Sequence, residues 1–116
     1  VYRDSLCVAF LSINPLAAGH VLVVPIEEVD HWIDMSPEVS AHMFAVSHRI
    51  SRAISDAFPC TRVGLIIAGY EINHCHIHLI PTHTMQQLNF ANAAKSIDRE
   101  TLESHAELLT QALTRI

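Results

Sequence analysis

His74-Cys75-His76-Ile77-His78-Leu79-Ile80-Pro81 sets three imidazoles in strict alternation with apolar side chains. Alternation at period two marks a strand whose two faces meet different surroundings. Cys75, Ile77 and Leu79 are expected to enter a core, while His74, His76 and His78 line the opposite face. Every second side chain on a strand stands roughly 6.5–7 Å from the last, so the three rings would form a row along one groove. Histidine titrates near neutrality and serves as base, acid, nucleophile or metal ligand. A solvated, functionless edge strand is the competing reading, and three imidazoles alternating with buried-type residues argue against it. The row marks a chemical site.

Outward from that row, Val63 to Tyr70 reads as a strand carrying two glycines, joined to the histidine strand by a short turn. Ser36-Pro37-Glu38 has the signs of a helix start: an N-cap, proline at the first position and early negative charge. Val39, Met43, Val46, Ile50, Ile54 and Phe58 then recur at helical spacing until Pro59. Leu6–Ile13 and His20–Pro25 read as two further strands, the second apolar enough to be buried on both faces. The loop Asn14–Gly19, with its Pro and Gly punctuation, joins them. Residues 82–97 are polar and irregular and should drape over the surface. Asp98–Ile116 carries Leu102, Leu109, Leu113 and Ile116 at helical spacing. The fold class is α+β, a mainly antiparallel sheet with one long helix and a C-terminal helix.

The 116 residues suit one domain, 1–116, with a modest core. The chain opens on Val1 in what reads as the tail of a strand, so a preceding segment is expected. Twelve acidic against seven basic residues give a formal charge of −5, the wrong sign for a nucleic-acid polymer as partner. No apolar run approaches the roughly 20 residues that cross a bilayer, so no membrane partner is expected. Cys7, Cys60 and Cys75 are an odd set with no disulfide-framework spacing and fit reduced thiols in a cytoplasmic protein.

A zinc site is the principal chemical rival, because two histidines two apart on a strand can share a metal and His20 could add a third ligand. The cysteines lack the paired spacing that would strengthen it, and no metal or other cofactor is expected. His31, His42, His48, His83 and His105 fall in no pattern and read as solvated.

The run His74–Ile80 resembles the signature of the histidine triad (HIT) family, His-φ-His-φ-His-φ-φ with φ apolar. Ile13-Asn14-Pro15 and Gly19-His20-Val21-Leu22-Val23-Val24-Pro25 are similar to that family's loop and second strand, which carry a fourth histidine. Ala68-Gly69 matches its glycine-bearing strand, so the resemblance runs from residue 1 to about residue 90. It implies a five-stranded antiparallel HIT-like fold, a homodimer with a continuous ten-stranded sheet, and a small nucleotide as substrate. It further implies His76 as nucleophile, His78 and His20 as its orienting and proton-handling partners, and His74 as support for the row. Phe10, Ser12, Ile13 and Asn14 fall where the family binds base and ribose, and Gly69 and Glu71 where backbone N–H groups approach the α-phosphate. Many relatives have Asp at Ser12, Gln at Tyr70, Asn at Val63 and Arg at Thr82; this chain departs at all four.

The chemistry implied is nucleotidyl transfer or hydrolysis. A neutral imidazole nitrogen attacks phosphorus and forms a nucleotidyl-histidine that water splits, and the phosphoryl charge needs preorganised donors. Two alternatives share these residues: a nucleotide binder with vestigial catalysis, and a phosphorylase in which phosphate replaces water.

Overall fold

Ser36, Pro37 and Glu38 start a helix for the reasons their chemistry supplies. Ser36 Oγ accepts from the Val39 N–H at 3.1 Å, and Pro37 occupies a position whose N–H would have no helical partner. The helix, α1, runs Pro37–Ala57 in the computed structural model, which describes residues 1–116. Phe58 turns extended, its N–H still donating to the Ile54 carbonyl, and Pro59 forbids continuation. Met43, Val46, Ile50, Ala53 and Ile54 form the buried stripe that lies on the sheet.

Five strands make that sheet: β1 Tyr2–Arg3, β2 Cys7–Leu11, β3 Val21–Pro25, β4 Arg62–Ile66 and β5 Ile77–Thr82. Their spatial order is β1-β2-β3-β5-β4, and every neighbouring pair is antiparallel. Cys7, Ala9, Leu11, Val21, Val23, Ile77 and Leu79 meet the buried side chains of α1 in one apolar core. The terminal helix α2, Arg99–Thr114, is capped by Asp98 and adds Leu109, Ala112 and Leu113 to that core. The expected α+β architecture is the one observed. No helix is long and apolar enough to cross a membrane.

Several local expectations need correction. β5 begins only at Ile77, so His74, Cys75 and His76 precede the strand, and β5 is buried on both faces. β3 is fully buried on one face only, with Leu22 and Val24 half-buried on the other. β4 stops at Ile66, and residues 67–70 form a loop instead. Within the irregular 82–97 stretch lie two 3-10 turns, Met85–Leu88 and Phe90–Asn92, and a third covers Trp32–Asp34. His42 is not simply solvated: its Nε2 lies 2.7 Å from Asp4 Oδ2. His105 is half-buried and stands edge-on to Phe58.

Register explains how the sheet's second face becomes a site. Phe10 lies opposite Leu22, and Leu22 lies opposite His78. Three side chains from adjacent strands thus share the face away from α1. The tight turn at Gly19, with φ of 91°, delivers His20 to the entrance of β3 beside them.

Candidate active site

Hydrogen bonds fix which nitrogen of each imidazole carries a proton, because a carbonyl only accepts and a backbone N–H only donates. His76 Nδ1 lies 3.0 Å from its own chain's His74 carbonyl, so Nδ1 is protonated and Nε2 keeps its lone pair. His74 Nε2 lies 2.8 Å from the Pro25 carbonyl and must donate to it. The Leu16 N–H donates to His20 Nδ1 at 3.0 Å, which places the His20 proton on Nε2. That nitrogen is 3.0 Å from His78 Nδ1, so His20 donates, and neutral His78 is protonated on Nε2. The result is one bare Nε2 on His76 beside one Nε2–H on His78, with ring centroids 4.7 Å apart.

These rings line a cavity of about 700 Å³, a size that suits a small-molecule ligand. All four histidines border it, together with Phe10, Ser12, Ile13, Asn14 and Glu71. Gly69 borders instead a small recess of about 20 Å³ that also touches Glu71, His76 and His78. There Gly69 has φ of 83°, and an added Cβ would meet nothing within 4 Å. Ser12 and His20 are buried, joined by the Ser12 N–H donating to the His20 carbonyl at 2.9 Å. Phe10 and Ile13 are exposed apolar walls.

Residues 1–85 match the HIT domain. The chain belongs to the histidine triad family. An adenylylsulfatase of Arabidopsis thaliana is 31% identical over 112 residues, 92% of this chain and 55% of that protein. The asymmetrical bis(5′-nucleosyl)-tetraphosphatase of Schizosaccharomyces pombe is 31% identical over 85 residues, 69% of this chain and 47% of that enzyme. The chain therefore spans about half the length of those two enzymes. The crystal structure of a Hit-like protein from Bartonella henselae superposes with a TM-score of 0.85 at 26% identity, covering 97% of this chain and 84% of that one.

In this HIT protein, burial shapes the protonation of the inner pair. Burial first, and the neighbouring His76 second, push His20 down to about 4. Burial, then His76 and His20, push His78 down to about 4 as well. Both rings are neutral at pH 7 and act as oriented donors and acceptors. Unfolded imidazoles protonate near 6.5, so between pH 6.5 and 4 the unfolded chain binds more protons than the folded one. Stability should be fully present above pH 6.5 and fall as pH drops through that window. The loss should be on the order of 3 kcal/mol for the pair, because the open pocket solvates part of the charge. Urea midpoints at pH 7.5, 6, 5 and 4 measure it; a midpoint constant from pH 7 to 4.5 would contradict the neutral pair.

No three ligand atoms of the four site histidines lie within 4.8 Å of one another. The ligand atoms of Asp4, Cys7 and His42 do lie within 4.8 Å of one another. Asp4 is already committed, however: its oxygens accept from Tyr2 OH, Leu6 N, Cys7 N and His42. The Tyr2 hydrogen bond, chiefly, holds Asp4 well below the usual carboxylate range and lifts Tyr2 to about 12. Burial lifts the Cys7 thiol to about 11. This network ties the β1–β2 turn to α1.

Sequence reasoning missed the pocket's roof. Phe90 stands 4.7 Å, centroid to centroid, from His78, and Ala93, Ala94 and Lys95 extend the wall. The available signal was Phe90 itself, the sole Phe, Tyr or Trp in the polar stretch 82–97.

Proposed function

We propose that this chain is a nucleotide hydrolase or nucleotidyl transferase. It cleaves a P–N or P–O bond at the α-phosphate of a nucleoside phosphoramidate or dinucleoside polyphosphate. The observation that carries the reading is the tautomer of His76: with Nδ1 held by the His74 carbonyl, the bare Nε2 is the nucleophile. The Nε2–P bond forms as the bond to the leaving group breaks, and the bonding pair departs with that group. Water then attacks phosphorus, releases the nucleoside monophosphate and returns the pair to Nε2. A polyphosphate leaves as a stable anion, whereas an amine takes a proton.

His78 and His20 supply that proton handling. They are neutral at pH 7, and an entering phosphate anion favours their protonated forms. The His78 Nε2–H and backbone N–H groups at Gly69 and Glu71 serve the phosphoryl oxygens. Phe10 and Ile13 hold the base, with Ser12 and Asn14 at the ribose. The activities of the Arabidopsis and fission-yeast relatives support this class of substrate. Purified protein assayed against adenosine phosphoramidate and diadenosine polyphosphates, with and without phosphate, tests the reading. Turnover of any of these supports it, and turnover only with phosphate makes the protein a phosphorylase.

A binder with vestigial catalysis is favoured by one observation. Tyr70, at a position where relatives frame the phosphate with an amide, is 93% exposed. Binding without turnover across the same panel would establish that alternative.

The assembly proposed is a homodimer. β4 is an outer strand whose Leu65 is 42% exposed, and Phe44 on α1 is 61% exposed, an arrangement a second copy would cover. Light scattering at micromolar concentration should report twice the chain mass; a stable monomer would contradict the assembly.

A further inference from the structure

Lys95 is the sole lysine of the chain and the only Lys or Arg bordering the large pocket. No carboxylate pairs with it: the ion pairs are His42–Asp4, Arg99–Glu103 and Arg115–Asp56. Its backbone is pinned to the loop that follows β2. Asn14 Nδ2 donates to the Lys95 carbonyl at 2.9 Å, and the neighbouring Ala94 N–H donates to the Pro15 carbonyl at 3.0 Å. Two long-range hydrogen bonds thus fix the backbone that carries this cation at the wall of the cavity, in a protein with a formal charge of −5.

The groups around it are matched to an anion. Ser12 Oγ already accepts from the Asn14 N–H at 3.1 Å, so its hydroxyl proton and one lone pair remain for a ligand. Asn14 Nδ2 keeps one hydrogen spare, and Lys95 adds three. The only carboxylate bordering the cavity, Glu71, belongs to the loop beside His76 and His78. Free sugar hydroxyls call for an acceptor, and a phosphate calls for donors. Dinucleotide-binding sites make the same choice, with a carboxylate for the free 2′-hydroxyl and a cation for the 2′-phosphate.

We propose that Lys95 is a specificity-determining residue that selects nucleotides whose ribose carries a second phosphate, at the 2′ or 3′ position, besides the 5′-phosphate at His76. The inference rests on the reading above, in which the sugar sits at Ser12.

Calorimetric titration with adenosine 5′-monophosphate, adenosine 5′-diphosphate and the 2′,5′- and 3′,5′-bisphosphates tests it. At least one bisphosphate should bind about tenfold tighter than the monophosphate, a difference of about 1.4 kcal/mol. The diphosphate should show no such gain. Lys95→Met, at an exposed position, should bring the bisphosphate-to-monophosphate ratio close to one. Ser12→Asp should invert it, since a carboxylate accepts from free hydroxyls and repels a phosphate. Equal binding of mono- and bisphosphate by the parent overturns the proposal, as does an equal gain with the 5′-diphosphate. A ratio that survives Lys95→Met does so too. If the monophosphate itself fails to bind, the nucleotide reading falls and takes this inference with it; binding without bisphosphate preference removes the inference alone.

Discussion

His76→Ala should reduce turnover by several orders of magnitude and leave the protein folded. His76 is 8% exposed yet borders the pocket and is not part of the apolar core. Its removal enlarges an existing cavity rather than opening one in the core. The structural loss is one hydrogen bond to the His74 carbonyl at 3.0 Å, a net cost of about 1 kcal/mol. The chemical loss is the group that forms the covalent bond, and such losses typically cost a factor of 10³ or more. Circular dichroism and a thermal melt separate the two effects. Near-normal hydrolysis by the variant, on a substrate the parent cleaves, would remove His76 from the nucleophile's role.

Gly19→Val should be the most damaging single change to stability away from the core itself. Gly19 has φ of 91°, a left-handed conformation that a β-branched residue resists. The space is occupied as well: a Cβ there would stand 2.6 Å from Phe58 Cδ2 and 2.8 Å from its Cγ. Phe58 has little room to yield, being buried against the core and edge-on to His105. Backbone strain of about 1–2 kcal/mol and overpacking of about 1–3 kcal/mol sum to roughly 3 kcal/mol. In a domain of this size that is a fall of roughly 10 °C in Tm. Activity should drop with it, because residue 19 positions His20 against His78. Gly69→Ala is the control, with φ of 83° but open space around the added carbon; it carries only the strain. A Gly19→Val melt within 2 °C of the parent would contradict the packing described.

The elements legible from the residues alone were those written in local chemistry. The Ser36-Pro37 helix start, the α1 stripe and the alternation from Cys75 to Leu79 needed only spacing and side-chain type. The limits of the histidine strand were not legible. His74 and His76 spend ring nitrogens on the Pro25 and His74 carbonyls, in a segment that precedes the ladder, and alternation cannot distinguish that from pairing. Alternation set the row along a groove, and His74, His76 and His78 do border the cavity, although β5 itself is buried on both faces. The cover comes from Phe90 and the segment after it, twelve or more residues downstream, and no local pattern records a contact at that range. His42 looked solvated on its helix for the same reason: Asp4, its partner, lies 38 residues away. The place of Lys95 at the pocket was not legible either, because it is set by Asn14, 81 residues upstream.

The proposed chemistry has a single material consequence that nothing else in the molecule would produce. Protein mixed with a cleavable adenosine phosphoramidate and quenched in base, where phosphoramidate bonds to histidine survive, should carry one nucleoside monophosphate in its intact mass. Peptide sequencing should place that addition on His76, and the His76→Ala protein should carry none. Turnover of the same substrate with no adduct at any quench time, or an adduct on another residue, would contradict nucleophilic catalysis by His76.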